Sequence, residues 1–208
     1  MYKSKLKDIV VFTDGSCTNN GKKNAIGGIG IHFPDGELKD ISRVFNKGCC
    51  TNQRTELYAI LYAIKYIDSK LSLNNFKVFI CTDSQYSINC ITKWVPAWIK
   101  NNWMTKNNTP VANREFIEPI YKYYSKYNII FEHVEAHTGG TDFDSIANAR
   151  ADYLATKATK KAFMENKNNY KTRGSKINNY SNSKKINNYS NSKKINNFND
   201  IIIELIKK

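Results

Sequence analysis

The 5 cysteines, Cys17, Cys49, Cys50, Cys81 and Cys90, are odd in number and contain no C-x-x-C pair. That spacing argues against a disulfide-stapled secreted domain and against a zinc site. Reduced thiols in an intracellular protein of the cytoplasm or nucleus are expected, with Cys49 and Cys50 on a loop. Nowhere do 18 apolar residues follow one another, so neither a transmembrane helix nor a membrane partner is expected. The opening segment MYKSKLKDIVVF has neither the long apolar region nor the small-residue cleavage site of a signal peptide. Acidic residues are scarce: 18 Asp and Glu stand against 32 Lys and Arg, a net charge of +14. Such an excess favours a polyanionic partner.

The 208 residues suffice for one sizeable domain with an extension, and are too few for two ordinary domains. A domain of about 150 residues buries most of its unfolded surface and needs no staples. We place it at residues 1–165. From 166 to 208 the composition shifts, and SKINNYSN, SKKINNYSN and SKKINNFND form an imperfect repeat of Asn, Lys and Ser. Three such copies are too short and polar to bury a core, so a disordered basic tail is expected. This tail holds 10 Lys and Arg against 2 Asp and Glu, more than half of the net charge. It reads either as an electrostatic tether or as a relic of A/T-rich coding.

Four carboxylates occupy characteristic settings. Asp14 and Asp83 each close a run of β-formers, IVVFTD and FKVFICTD. Glu56 lies in the first turn of a helix expected over Gln53–Lys70, where Leu57, Ile60, Leu61, Ile64 and Ile67 recur at helical spacing. Asp152 lies in a last helix expected from Asn148 to about Met164. GGIGIHF and ELKDISRVF read as a strand pair joined at Pro34-Asp35-Gly36, and IIFEHVEAH as a fifth strand. A short helix is expected from SQYSINCI, another through Pro96 and Trp98, and a third over Asn113–Lys126. Strands first, then alternating helices and strands, fit a mixed α/β sheet flanked by helices. A carboxylate ending a buried strand is held at the sheet's rim, where ligands of α/β folds bind. Helices crossing that rim would bring Glu56 and Asp152 to the same point. An oxygen-only cluster suits Mg²⁺, and a metal-dependent nuclease is the reading that follows.

Taken together and in order, FTDGSC, TNQRTELYAI, CTDSQYSI, ITKWVPAWIKNNW, AHTGG and NARADYLA resemble the type 1 ribonuclease H signature. The resemblance covers roughly residues 8 to 163. TNQR and the Trp-rich segment are closer to the cellular eukaryotic branch. It implies a five-stranded sheet with three antiparallel strands and two parallel additions. It also implies cleavage of the RNA strand of RNA–DNA hybrids, leaving 5′-phosphate and 3′-hydroxyl ends. Asp14, Glu56, Asp83 and Asp152 would hold two Mg²⁺ ions, with Mn²⁺ as substitute, about 4 Å apart for an in-line displacement. His137 would assist proton transfer or product release. It precedes Asp152 by more residues than is usual, which extends its loop. Asp68, Asp142 and Asp144 are expected at the surface, His32 and His133 as ordinary strand residues.

For substrate, Asn52, Gln53 and Gln85 carry amides that both donate and accept, which suits a 2′-hydroxyl. Capping of the helix by Asn52 is the competing reading of that residue. Cys17 adjoins the metal segment and is expected to touch substrate. Trp94, Trp98 and Trp103, with Lys93, Lys100 and Lys106, occupy the segment the family uses as a basic protrusion gripping the DNA strand. This copy is poorer in lysine, and Trp94 and Trp98 sit at i,i+4, a spacing that also serves packing. A DNA-cutting resolvase or transposase-like nuclease and a silent hybrid-binding module are the alternatives; the ordered motifs disfavour the first and the intact carboxylates the second. The expected partner is the hybrid duplex, for a monomer with no obligate protein partner and no hybrid-binding domain before Asp14.

Overall fold

The first strand, β1 (Lys7–Thr18), alternates its side chains between two cores. Ile9 and Val11 enter one core, and Phe12 with Val10 enters the other. The computed structural model describes residues 6–136 and 140–182, with side chains as far as Lys167. The chain divides into two units, Met1–Lys167 and Asn168–Lys208. Of the second, only helical backbone to Asn182 is described.

Beside β1 lie β2 (Ile26–His32) and β3 (Ile41–Val44) on one side, β4 (Phe76–Thr82) and β5 (Ile129–His133) on the other. The order is β3-β2-β1-β4-β5. The first three strands pair antiparallel, while β4 and β5 add in parallel. This is the five-stranded mixed sheet expected. Between β2 and β3, the Gly36 N–H closes a turn onto the Phe33 carbonyl across Pro34 and Asp35.

One face of the sheet is covered by α1 (Asn52–Leu71), which buries Leu57, Ile60, Leu61, Ile64 and Ile67. Thr51 caps it, accepting from the Arg54 N–H. The helix therefore begins a residue early, and Glu56 stands one turn in rather than in the first turn. Asn52 is not the cap. The opposite face is covered by the start of α5 (Phe143–Asn182), through Ala147 and Ala151. This helix runs past the expected end near Met164, there being no proline after Pro119 to interrupt it.

Glycines in β2 let α5 come close. A β-carbon on Gly30 would lie 2.0 Å from the Ala151 carbonyl oxygen, and one on Gly28 would lie 2.4 Å from the Ala158 side chain. Gly30 is the β-ladder partner of Asp14. The cleared face thus brings the helix that carries Asp152 beside the strand that carries Asp14.

Between β4 and β5, α2 (Gln85–Asn89) passes through a π-helical turn, Cys90–Trp94, into α3 (Val95–Lys100). Pro96 sits in the first turn of α3, as expected. The last connecting helix is α4 (Arg114–Lys126).

Candidate active site

Asp14 does not end its strand. β1 keeps its pairing with β2 as far as Thr18, whereas its pairing with β4 stops at Phe12 and Cys81. Asp14 therefore lies just past the last parallel pair, level with the point where β4 gives way to Asp83. The rim that matters is that of the parallel pair, because the antiparallel partner carries β1 onward. At Asp83 the chain turns sharply. Ser84 caps α2, its Oγ accepting from the Ser87 N–H, and its own N–H donates to Thr82 Oγ1.

Asp14, Glu56 and Asp83 each bring one carboxylate oxygen to a common point, all within 4.8 Å of one another. Asp14 Oδ2 and Glu56 Oε2 are both shut off from solvent and have no hydrogen-bond partner. Burial, then the negative charges of Asp83 and Asp152, pushes the pKa of Asp14 up to about 7. Burial, then Asp14 and Asp83, holds Glu56 well above the usual carboxylate range. The Gly15 backbone N–H opposes both shifts. Crowded carboxylates with enclosed oxygens left unpaired are costly without compensation. An all-oxygen set with free lone pairs fits a hard divalent cation, so these residues suit the metal the sequence implied.

Asp152 is not one of the trio. Its Oδ1 accepts from Thr156 Oγ1 at 3.4 Å, one turn further along α5, while its charge still reaches Asp14 and Glu56. His137 lies outside the described residues.

The expected substrate residues surround this point unevenly. Asn52, Gln53, Gln85 and Lys100 are exposed, and Cys17 is partly so. The Asn52 N–H donates to Asn20 Oδ1 at 3.1 Å, tying the start of α1 to the loop after β1. Gln85 Nε2 donates to Asn89 Oδ1. The three tryptophans form a chain of rings, Trp94 to Trp98 at 5.8 Å and Trp98 to Trp103 at 6.4 Å. Trp103 is buried, with the Arg114 guanidinium 4.7 Å from its ring centre. It is a packing residue rather than an open substrate surface; Trp94 carries the exposed ring.

Sequence reasoning missed the residues that hold the start of α1. Arg54 donates to the Lys47 carbonyl at 2.7 Å and to Asn113 Oδ1, and pairs with Glu115. The Arg of TNQR was visible as part of a motif, yet its partners lie on other elements. Asn113 adopts φ 60° ahead of α4 and donates to the Tyr86 hydroxyl. His32 is a strand residue, as expected, and its Nδ1 also lies 2.7 Å from Asp40 Oδ1, while Asp40 Oδ2 accepts from Arg150 Nε.

The family model for RNase H matches residues 6–160. The chain belongs to the ribonuclease H family. Among its relatives, a probable ribonuclease H of Acanthamoeba polyphaga mimivirus is 62% identical over 148 residues, covering 71% of this chain and 65% of that protein. Ribonuclease H1 of Rattus norvegicus is 34% identical over 156 residues, covering 75% of this chain and 52% of that one. The chain thus spans between about half and two thirds of the length of these curated relatives. A structure of the foamy viral protease-reverse transcriptase in complex with RNA/DNA hybrid matches with a TM-score of 0.59 at 25% identity, covering 73% of this chain and 20% of that one. No helix among the described residues is long and apolar enough to cross a membrane.

Proposed function

We propose that this ribonuclease H chain hydrolyses the RNA strand of RNA–DNA hybrids endonucleolytically, leaving 5′-phosphate and 3′-hydroxyl ends. The observation that carries the reading is the trio Asp14, Glu56 and Asp83, with two enclosed carboxylate oxygens left without partners. Asp14, Glu56, Asp83 and Asp152 would hold two Mg²⁺ ions, or Mn²⁺ in their place. Cations bound there supply Lewis-acid stabilisation of the attacking and leaving oxygens of a phosphodiester.

The chain's own residues do the rest. The Gly15 N–H and the rigid start of α1 keep Glu56 facing Asp14, so the site is organised before substrate arrives. Asn52, Gln53 and Gln85 present amides to the minor groove, where a 2′-hydroxyl can both donate and accept. Cys17 flanks them. Trp94, Trp98 and Lys100 would meet the DNA strand, with Trp103 supporting the rings from beneath. His137 would move a proton at the scissile phosphate. The active species is read as a monomer with no obligate protein partner, and residues 166–208 as a separate basic tail. The likeness to a solved RNA/DNA hybrid complex supports the choice of substrate.

The test is cleavage of labelled RNA–DNA, RNA–RNA and DNA–DNA duplexes, with Mg²⁺ and with EDTA. Cutting confined to the RNA of the hybrid, and abolished by EDTA, is expected. Equal cutting of DNA duplexes, or full activity in EDTA, would overturn the reading.

A further inference from the structure

Cys17 and Cys50 are distant in sequence but adjacent in space. The Cys50 thiol lies 3.1 Å from Cys17 Sγ across 33 positions of chain. Both are free thiols, Cys17 partly exposed and Cys50 buried. The approach has a structural cause. Cys17 is the β-ladder partner of Gly27, and a β-carbon on Gly27 would lie 2.6 Å from Cys50 Sγ. The missing side chain opposite Cys17 is the space into which Cys50 inserts. A disulfide needs a sulfur separation of ~2.05 Å, so about 1 Å of travel remains, which side-chain rotation and a small loop shift can supply.

We infer that Cys17 and Cys50 are an oxidisable pair, a modification site in which a low-molecular-weight disulfide such as oxidised glutathione installs an internal Cys17–Cys50 bond. The step balances. The Cys17 thiol, the more accessible of the two, loses its proton and attacks one sulfur of the glutathione disulfide. That S–S bond breaks, one glutathione leaves as thiol, and Cys17 carries the other. Cys50 then loses its proton, attacks Cys17 Sγ and expels the second glutathione. Two protein thiols are oxidised, and one glutathione disulfide is reduced to two thiols. Burial, then the hydrogen bond with Cys17, pushes the Cys50 thiol well above its usual range. A buried thiol of that kind suits the second, intramolecular step, where proximity replaces acidity.

The location decides the consequence. Cys50 immediately precedes Thr51, the cap of α1, and thus Asn52 and Gln53. Cys17 and Asn20 flank the same point on β1 and its loop, and Asn20 already accepts from the Asn52 N–H. The bond would withdraw the Cys17 thiol from the face turned to substrate and fix the start of α1 to β1. This functional consequence rests on the proposed hybrid reading; formation of the bond does not.

The full chain is incubated with oxidised glutathione, then digested without reduction and mapped by mass spectrometry, with the free thiols counted. Loss of two thiols and a Cys17–Cys50 linked peptide are expected in the wild type and in Cys49→Ser, but not in Cys50→Ser. The oxidised protein should melt on the order of 5–10 °C higher, since a closed loop of this size restricts the unfolded chain. Its KM for hybrid should rise several-fold with kcat little changed, and dithiothreitol should reverse both effects. A Cys17–Cys49 or Cys49–Cys50 linkage, or stable glutathione adducts without an internal bond, would overturn the inference, and an unchanged KM in fully oxidised protein would overturn its consequence for substrate. Thiol mapping needs no activity, so a linked pair in a protein that never cleaves hybrids would refute the proposed function alone.

Discussion

Gly15 and Glu56 meet backbone to backbone. A β-carbon on Gly15 would lie 2.3 Å from the Glu56 amide nitrogen and 2.4 Å from the Thr55 carbonyl carbon. Both obstructing atoms are main chain in α1 and cannot swing aside. Gly15→Ala should therefore push α1 from β1 and separate Glu56 from Asp14, at a cost of about 3 kcal/mol or more. Denaturant titration and a cleavage assay check this together. An unchanged midpoint with unchanged activity would show that the approach is not a structural requirement.

Asp83→Asn keeps the size of the side chain but removes a negative oxygen from the trio. Turnover should fall to near background while hybrid binding persists, because affinity comes largely from phosphate contacts elsewhere. His137→Ala should be milder, within the ~10²–10⁴-fold typical of a proton-transfer group, and should change the pH–rate profile. Single-turnover rates and filter binding separate the two effects. Equally complete losses in both variants would show that their roles are misassigned.

Metal removal and pH act on the trio in one direction. The folded pKa of Asp14 is raised to about 7, above its value in an unfolded chain. The folded protein therefore holds the extra proton, and stability present at pH 4 is lost as pH rises through 7. In EDTA, wild type should be less stable at pH 8 than at pH 5 by this contribution. Asp14→Asn escapes the penalty and should melt roughly 4 °C higher than wild type at pH 8, a gain of about 1–2 kcal/mol, with a smaller gain at pH 5. Saturating Mg²⁺ should narrow the difference, because it stabilises only the wild-type carboxylate set. A variant no more stable than wild type in EDTA at pH 8 would contradict the proposed crowding.

Truncation after Asn166 removes all of the tail's charge and leaves every residue of the candidate site in place. The cleavage step at saturating hybrid should be unchanged. KM should rise, and the salt dependence of binding should flatten by a slope of roughly 0.9 for each phosphate the tail no longer neutralises, judged by the duplex-DNA value. Unchanged KM and salt slope would mark the tail as a coding relic. A fall in kcat would show that it supports the catalytic domain.

The sequence was most legible where chemistry is written locally. Strand runs, the helical spacing of Leu57, Ile60, Ile64 and Ile67, and the Pro34-Asp35-Gly36 turn report near-neighbour geometry, and the corresponding elements formed where expected. Boundaries were less legible. β1 runs on to Thr18 because β2 continues to pair with it, a fact carried by the partner strand. Arg54 shows the same limit, since its partners Lys47, Asn113 and Glu115 come from three separate places in the fold. Trp103 was indistinguishable from Trp94 in sequence; packing into the core, against Trp98 and beneath Arg114, buried it.

The amino-acid order alone determined which groups are available: carboxylates on strand and helix, amides ahead of Glu56, and a basic excess. Side-chain chemistry and local periodicity are properties of short stretches. The tertiary structure alone decided which groups meet. It gathered three carboxylates within 4.8 Å, gave Asp152 a hydrogen bond from Thr156, and set Cys50 against Cys17. Those meetings depend on how closely helix and sheet can approach. Gly15, Gly27 and Gly30 control that approach through atoms they do not have, and only the opposing surfaces reveal where that matters.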